Sequence, residues 1–370
     1  ESETIKFDVP TIVTEEGSSL VPVRFFAEAL GLSVTWDDSL KSVIIMDFGA
    51  YIDELFDKAP VIEKLLSLGL KSPESYRYNG IINCKLNFES EYLFSTEKIN
   101  GNIEIKVNEV SNKNLSKGNI SIVLSDSLIT EILYEIEEVE ELKFYQNILK
   151  NLNFKYVVEK DKNITYFHSD IIKAIADHSN LNFGEDFKNT WIKFDLNKYY
   201  ENMGIDLAQL SSLNSIDSKD TLISVLNSNT YDYFSMKEID NLFDIISEVL
   251  GNDNLKLESS ENNTYKMIVD IDTDDFIGII KKSMENQGYE LTEEDLAELE
   301  TLVYEIKGSS TIKDGITTDS TASIVFYINS NGQVISFDVT ADEKYTDINN
   351  VNETIEVPTQ VLDLLKLFDL

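Results

Sequence analysis

The sequence predicts an α+β fold, with long antiparallel strands and helices laid on one side of them. Three observations predict it. A strand–helix–strand–strand pattern occupies residues 19–46. Long segments alternate between apolar and polar residues, as around Ile103, Ile105 and Val107, which is typical of a sheet with one buried face and one wet face. Amphipathic stretches with helical spacing, such as that around Leu242 and Ile246, lie between these segments.

Length and composition bound the architecture. At 370 residues the chain is too long for one ordinary core, so we expect two or three domains. Hydrophobic residues make up 42% of the chain, which is enough to build buried interiors. The formal net charge is −36, from 67 acidic and 31 basic residues. Such a surface repels nucleic acid and anionic membrane faces, and solubility explains it more simply than cation binding does.

The single cysteine and the hydropathy pattern exclude several classes of protein. One cysteine, Cys84, permits neither an intramolecular disulfide nor a cysteine-based zinc site, and its strand-like surroundings favour a buried, inert thiol. No apolar run approaches the roughly 20 residues that span a bilayer, so we expect no transmembrane segment in this chain. The chain opens on Glu1 rather than Met and carries no signal peptide, which is compatible with a mature or trimmed form of an exported protein.

The N-terminal pattern predicts a small βαββ module. A strand runs into Pro22, and a short helix follows that ends at Gly31. Two further strands are predicted, one that ends at Trp36-Asp37 and one at residues 43–46. Proline is tolerated at a helix entry, and glycine adopts the left-handed conformation that commonly ends a helix. Within this module we expect Phe26, Leu30 and Trp36 to be core residues.

These residues resemble the module called the copper amine oxidase N-terminal domain, found on many secreted and cell-wall proteins of Gram-positive bacteria. The resemblance implies that residues 1–47 form such a module and that the protein is extracellular or belongs to the cell envelope. Copper amine oxidases need three histidines and a tyrosine in an Asn-Tyr-Asp/Glu context. This chain has only His168 and His178, and Thr230-Tyr231-Asp232 lacks the asparagine. We therefore expect no amine oxidase activity and no copper, zinc or quinone cofactor.

The middle of the chain predicts helices that flank a run of strands. Residues 50–68 predict a helix that is broken near Pro60. Strand patterns begin at Tyr76 and include the alternation of Ile120, Ile122 and Leu124. Residues 129–149 predict one helix with a solvated acidic centre around Glu135–Glu141.

The later half repeats this alternation. Residues 236–250 predict a helix whose capping box is formed by Ser235 and Glu238. A strand follows at residues 265–271, and helices are predicted at residues 274–287 and 293–303, the second capped by Thr292. Two strands around residues 322–328 and 335–339 predict a hairpin, because an Asn-Ser-Asn-Gly turn separates them.

Four segments carry a second resemblance. They are residues 164–168, the run Thr190-Trp191-Ile192-Lys193-Phe194-Asp195-Leu196, residues 264–271, and residues 345–358. In this order they resemble bacterial lipoproteins with a half-barrel fold, which include the mycobacterial lipid-carrying lipoproteins and the periplasmic lipoprotein carrier. The resemblance implies that residues 48–370 form a large curved antiparallel sheet, a half-barrel, with helices on its concave face and an apolar cavity between the two. That family is not enzymatic, so it supplies no catalytic residue.

A cavity of this kind would be lined by strand residues of the half-barrel. The candidates for ligand lining are Tyr265, Met267, Ile324, Phe326, Phe337 and Val339. Transfer of an alkyl chain into such a cavity gains about 0.8 kcal/mol per CH₂. The alternative stays open that the same side chains pack as a solid core, since hydrophobic pattern does not distinguish a filled interior from a hollow one.

Catalytic and metal-binding motifs fail in detail. The chain has neither a Gly-x-Ser-x-Gly elbow nor a phosphate-binding glycine loop. Asp270-x-Asp272 begins like a calcium loop, but Asp275 replaces the turn glycine and Lys281 replaces the bidentate glutamate. We therefore predict no catalytic residue and no metal ligand.

Two functional hypotheses remain. The first is a non-enzymatic extracellular or cell-envelope protein that binds a lipid or other apolar ligand in the half-barrel. The second is a structural or adhesive surface protein that binds the cell wall or another protein and holds no small molecule. Neither hypothesis includes nucleic acid as a partner, because the net charge is −36.

Overall fold

The computed structural model describes residues 12–13, 19–20, 23–37, 41–92, 95–178, 190–203, 218–229, 236–251, 254–299, 301–330 and 332–364. The chain divides into two compact units. The first comprises Glu1–Gly69 and Ala208–Gly251, and the second comprises Leu70–Leu207 and Asn252–Leu370. The predicted boundary between an N-terminal module at residues 1–47 and a half-barrel domain at residues 48–370 stays a prediction.

The N-terminal module contains the predicted strand, helix and two further strands. Its elements are β1 (Ile12–Val13), β2 (Ser19–Leu20), α1 (Val23–Ala29), β3 (Ser33–Asp37) and β4 (Ser42–Met46). β1 pairs with β2 and β3 pairs with β4, both antiparallel. Gly31 follows α1 with a φ of +78°, as its predicted place at the helix end requires.

The prediction that Phe26 and Leu30 are core residues of this module is wrong. Phe26 is 48% exposed and Leu30 is 76% exposed, whereas Ala27 is only 4% exposed. Residues four apart share one helix face, so turning Ala27 inward carries Phe26 and Leu30 outward together. The side chain of Trp36, the third predicted core residue, lies outside the described residues.

Four further helices complete the first unit. They are α2 (Phe48–Lys58), α3 (Pro60–Ser67), α8 (Lys219–Asn229) and α9 (Met236–Gly251). The break between α2 and α3 at Pro60 confirms the prediction. Phe48 is fully buried, and the ring of Phe243 in α9 packs beside that of Tyr51 with 5.1 Å between ring centroids. The predicted capping box at Ser235 and Glu238 lies outside the described side chains.

The second unit contains a 12-stranded sheet. Its strands are β5 (Tyr76–Tyr92), β6 (Ser95–Ser111), β7 (Leu115–Leu124), β8 (Leu152–Glu159), β9 (Ile164–His168), β10 (Trp191–Asp195), β11 (Leu255–Ser260), β12 (Thr264–Ile271), β13 (Val303–Lys313), β14 (Ile316–Ser330), β15 (Gln333–Thr346) and β16 (Val361–Asp363). The order is β11-β12-β13-β14-β15-β5-β6-β7-β8-β9-β10-β16, so the sheet is open. Among the described strands, only β10 and β16 pair in parallel. The predicted α+β class with long antiparallel strands is confirmed.

The helices of the second unit correct two sequence predictions. They are α4 (Asp126–Ile132), α5 (Val139–Leu149), α6 (Asp170–His178), α7 (Leu196–Asn202), α10 (Thr273–Gln287) and α11 (Glu293–Leu299). The single helix predicted at residues 129–149 is wrong, because α4 and α5 are separate. The backbone of Glu138 is extended between them, which relieves the crowding of like charges in the acidic run.

The second correction concerns residues 293–303. The helix ends at Leu299, and Val303 begins β13, which the sequence analysis missed. The small residues Gly308, Ser309 and Ser310 interrupt the apolar alternation of this strand, so its pattern did not indicate a strand. The predicted cap is confirmed, since the Asp295 backbone N–H donates to Thr292 Oγ1 at 3.2 Å.

The register of the strands divides the sheet into two faces. Ile324 of β14, Val339 of β15, Cys84 of β5 and Ile103 of β6 are successive cross-strand neighbours, and they define what we call the apolar face. The alternate residues of the same strands define the polar face, which includes Lys85. Along β12, Lys266 and Asp270 are exposed while Met267 and Val269 are half-buried, as the alternation predicts.

Candidate functional site

The centre of the apolar face is an aromatic and aliphatic strip on β14 and β15. Ile324 pairs directly with Val339, and Phe326 pairs directly with Phe337. The two phenyl rings stack with centroids 4.9 Å apart and an interplanar angle of 18°. Four of the six predicted lining residues are therefore direct neighbours in space.

Two helices contact the apolar face on either side of this strip. On one side, Phe276 of α10 stacks on Tyr304 with ring centroids 4.0 Å apart, and Tyr304 is the cross-strand neighbour of Phe326. On the other side, Leu128 of α4 packs over Gly101 of β6, where an added Cβ would meet the Leu128 Cβ at 2.5 Å. The strip thus lies between the two points at which α10 and α4 contact the sheet.

The remaining two predicted residues, Tyr265 and Met267, also lie on the apolar face, but β13 separates them from the strip. They lie on β12, where their cross-strand neighbours are Ile312 and Ser310 of β13. All six predicted lining residues are half-buried. Their assignment to a ligand site stays a prediction, although the register places all of them on one face.

One end of the apolar face carries a tyrosine cluster that the sequence analysis missed. Tyr76 and Tyr156 donate hydrogen bonds to the two carboxylate oxygens of Glu109, at 2.7 and 2.5 Å. Tyr78 donates to Glu343 at 3.1 Å, and its ring lies 5.0 Å from that of Tyr345. One sequence feature could have indicated this cluster: the alternation Ile105, Val107 ends in Glu109, and a carboxylate on an apolar face requires hydrogen-bond partners.

Burial sets the ionisation of this cluster. Burial, followed by the hydrogen bond to Glu109, raises the pKa of Tyr76 to about 12. The same two causes raise the pKa of Tyr156 still further, and burial raises the pKa of Tyr78 with help from Glu343. Burial also lowers the pKa of the neighbouring Lys160. The cluster is therefore a network of neutral phenols around a carboxylate.

The residues considered for metal binding and reactivity have structural partners. His168 Nδ1 lies 3.4 Å from the Thr190 carbonyl oxygen, and His178 stacks on Phe144 with ring centroids 3.8 Å apart. Burial and Asp338 raise the pKa of the half-buried Cys84, which disfavours the reactive thiolate. Across the part of the chain that the structure describes, no group of three His, Cys, Asp or Glu residues could hold a metal ion.

The aspartates of the apparent calcium loop also have a structural role. Asp272 caps α10 by accepting a hydrogen bond from the Asp275 backbone N–H at 3.0 Å. The Asp275 side chain accepts from the Asp272 backbone N–H at 3.2 Å, which completes a capping box. The pattern Asp270-x-Asp272 therefore marks a strand that runs into a helix.

The polar face carries a segment that crosses it, residues 349–360, which we call the strap. It begins where the Asn349 backbone N–H donates to the Ser75 carbonyl at 2.8 Å and ends where Trp191 N–H donates to the Gln360 carbonyl at 2.9 Å. Between these points Glu353 pairs with Arg77 at 2.9 Å and with Lys117 at 2.7 Å. Ile355, 5% exposed, packs with Val157 and Tyr166.

A pocket of about 570 Å³ lies beside the strap. Residues of β5, β6, β7, β8 and β10 line it together with Thr354 and Glu356 of the strap. None of the six predicted lining residues contributes to it, because they lie on β12, β14 and β15, which do not line it. This pocket was not predictable from the sequence, since the strap that borders it has no secondary-structure pattern.

Comparison with family models confirms the N-terminal resemblance. Residues 1–59 match the copper amine oxidase N-terminal domain. Residues 251–366, which include β11 to β15 and the strap, match a family of unknown function (DUF6612). A search of curated proteins found no match.

Two solved structures are similar to this chain. Lipovitellin, studied for its lipid–protein interactions, has 9% identity and a TM-score of 0.27, and the match covers 77% of this chain and 26% of lipovitellin. A LolA superfamily protein from Nitrosomonas europaea has 10% identity and a TM-score of 0.15, with coverage of 81% and 94%. Both TM-scores are too low for the likeness to carry an argument. In the described residues, no helix has the length and apolar character needed to cross a membrane.

Proposed function

We propose that the second unit is a non-enzymatic binding protein that holds a lipid or other apolar molecule on the apolar face of its sheet. One observation supports this most directly. Phe326 and Phe337 lie between two helices that contact the sheet, yet both side chains are half-buried. A sealed core would bury them as it buries Ile271 and Ile312, which are 7% and 2% exposed.

The energetics favour an alkyl chain as the occupant of this strip. Covering the half-buried strip of Phe, Ile and Val removes the remaining apolar surface from water on the protein and buries apolar surface of the ligand. Each buried CH₂ contributes about 0.8 kcal/mol, so a chain of several methylenes offsets the cost of immobilising the ligand. The net charge of −36 disfavours an anionic head group, so we expect zwitterionic lipids to bind more tightly than anionic ones.

The N-terminal match supports an extracellular or cell-envelope location. The resemblance in the sequence of residues 1–59 is to a module that occurs on exported proteins of Gram-positive bacteria. We propose that the N-terminal module localises the protein and that the second unit binds the ligand. No catalytic residue, cofactor or metal is part of the proposal.

The test compares two substitutions on adjacent residues of β15. Phe337→Gln removes apolar surface from the strip, whereas Ser336→Gln places the same side chain on the polar face as a matched control. Losing one buried aromatic is worth about 1.5–3 kcal/mol, so Phe337→Gln should weaken binding of fluorescent phosphatidylcholine by about tenfold or more. Ser336→Gln should bind as the wild type does. Urea unfolding of both variants verifies that each remains folded.

Purified wild-type protein gives an independent test. Native mass spectrometry of protein from its own host should show copurified lipid, and fluorescent phosphatidylglycerol should bind more weakly than phosphatidylcholine. A ligand-free protein that binds neither probe would instead support the scaffold hypothesis. In that case Phe326→Ala should destabilise the fold by about 3–5 kcal/mol, as truncation of a filled core does.

A further inference from the structure

The pocket beside the strap has the size of a small-molecule site. Its volume of about 570 Å³ falls within the range of roughly 300–1,000 Å³ that ligand pockets occupy. Most of its lining residues lie on the polar face of the sheet, and all of them belong to the second unit. Tyr78, Glu109, Gly118 and Tyr156, which alternate with the polar-face residues along their strands, also border it. It is therefore separate from the strip proposed to bind apolar molecules.

A row of polar side chains crosses the sheet in this pocket. Asn79 of β5, Asn108 of β6, Asn119 of β7 and Lys155 of β8 are successive cross-strand neighbours, and all four line the pocket. We call these four residues the polar row. Neighbouring strands lie about 4.8 Å apart, so the row presents amide groups at regular intervals.

The side chains of the polar row are available to a ligand. All four are exposed, and none makes a side-chain hydrogen bond or ion pair with another residue in the described part of the chain. Each asparagine amide offers two donor hydrogens and one acceptor oxygen, whereas the lysine ammonium offers donors alone. Ligand groups that both donate and accept, as hydroxyl groups do, match such a row.

An aromatic residue continues the row. Lys155 is the cross-strand neighbour of His168, and Trp191 of β10 lies beside His168 with ring centroids 5.4 Å apart. Trp191 is half-buried and lines the same pocket. An indole ring presents an apolar surface beside a polar edge, which suits a ligand that has both C–H faces and hydroxyl groups.

The charges around the pocket favour a neutral ligand. Glu353 pairs with both Arg77 and Lys117, and Asp347 also pairs with Arg77 at 3.0 Å. The lining also contains the ammonium of Lys155 and the carboxylates of Glu109 and Glu356, so it holds charges of both signs. With a net charge of −36 on the whole chain, an anion gains no attraction from the long-range field.

We propose that this pocket binds a neutral saccharide, whose hydroxyl groups hydrogen-bond to the polar row and whose C–H face packs on Trp191. The site lies on the opposite face of the sheet from the apolar strip. Binding of saccharide and binding of lipid are therefore expected to be independent.

Isothermal titration of the full chain tests the proposal. The probes are maltotriose, cellotriose and chitotriose at up to about 10 mM, which detects a Kd of about 1 mM. We expect saturable binding of at least one of them. The double variant Asn108→Ala/Asn119→Ala should weaken that binding tenfold or more. Both side chains are exposed, so the variant should fold normally.

The matched control is Asn83→Ala, an exposed asparagine on β5 and on the same face that does not line the pocket. It should leave saccharide affinity unchanged, and so should Phe337→Gln, which impairs only the lipid strip. Absence of saturable binding by all three trisaccharides would overturn the proposal. Equal affinity of the double variant and the wild type, or tighter binding of glucose 6-phosphate than of glucose, would also overturn it.

Discussion

Two carboxylates of the sheet, the half-buried Glu109 and the buried Glu159, are both held by tyrosine hydroxyl groups. Glu109 accepts from Tyr76 and Tyr156, and the buried Glu159 accepts from Tyr166 at 2.6 Å. Lys162 and Tyr166 together lower the pKa of Glu159 by stabilising its charged form. A phenol donates one strong hydrogen bond and keeps its ring in apolar surroundings, which explains why tyrosines surround these groups.

The tyrosine cluster predicts an alkaline loss of stability that depends on Tyr76. Tyrosine has a pKa of about 10 in an unfolded chain, and burial raises the pKa of Tyr76 to about 12 in the folded protein. The folded state therefore favours the neutral phenol. This stabilisation is complete below about pH 10 and is lost as the pH rises towards about 12. Free energies of unfolding in urea at about pH 9 and about pH 11 measure the decline.

The variant Tyr76→Phe should show a smaller decline across the same interval, because one of the titrating phenols is gone. Tyr289→Phe is the matched control, since Tyr289 is 62% exposed in the same unit. It should decline as the wild type does. Identical declines for Tyr76→Phe and the wild type would show that the cluster does not govern alkaline stability.

At the scale of elements, the contact between α4 and the sheet depends on the absence of a side chain. Leu128 is 6% exposed over Gly101, and α4 begins where Ser125 Oγ accepts from the Leu128 backbone N–H at 3.3 Å. The cap fixes the start of the helix, and the glycine permits its close approach to β6. This contact defines one boundary of the strip proposed to bind apolar molecules.

Substituting Gly101 with Ala should destabilise the protein by about 1–3 kcal/mol, because the new Cβ overpacks the contact. It would lie 2.5 Å from the Leu128 Cβ, so the helix or the strand must shift. Gly278→Ala is the matched control, since a Cβ there meets nothing within 4 Å. In the interior of α10 it should stabilise by up to about 1 kcal/mol. Urea unfolding measures both, and a neutral Gly101→Ala would contradict the close packing.

At the scale of the whole molecule, charge is the dominant property. Even if every basic residue were paired with an acidic one, the net charge of −36 would remain uncompensated. The described ion pairs are mostly exposed, as for Lys58–Glu54, and such pairs contribute about 0–1 kcal/mol each. We therefore expect self-repulsion among the carboxylates to outweigh what these surface pairs contribute.

Salt should consequently raise the thermal stability of this protein. The Debye length falls from about 30 Å at 0.01 M to about 3 Å at 1 M, so repulsion between distant carboxylates is screened. Thermal unfolding in NaCl between about 0.01 and 0.5 M measures the change in Tm. KCl at equal concentration should act identically, because screening does not depend on the cation. A constant or falling Tm would mean that ion pairs outweigh repulsion.

Much of the second unit was predictable from sequence because its strands alternate strictly. The hairpin of β14 and β15 and the exposure of Lys266 and Asp270 follow from period-two patterns and turn residues. Where small residues replaced that pattern, as at Gly308 in β13, the strand was missed. The acidic run before α5 was wrongly predicted to be helical. The spacing of apolar residues indicates a helix but carries no information about repulsion between adjacent carboxylates.

The sequence by itself determined the α+β class, the N-terminal module and the assignment of Tyr265, Met267, Ile324, Phe326, Phe337 and Val339 to one side of their strands. These features follow from local sequence patterns, since alternation, helix caps and turns each involve only a few neighbouring residues. Only the tertiary structure decided which residues meet across strands. The pairing of Asn79, Asn108 and Asn119, the path of the strap beside them, and the outward turn of Phe26 depend on long-range register and packing. The polar pocket exists because segments far apart in the sequence converge there, and no local pattern encodes that convergence.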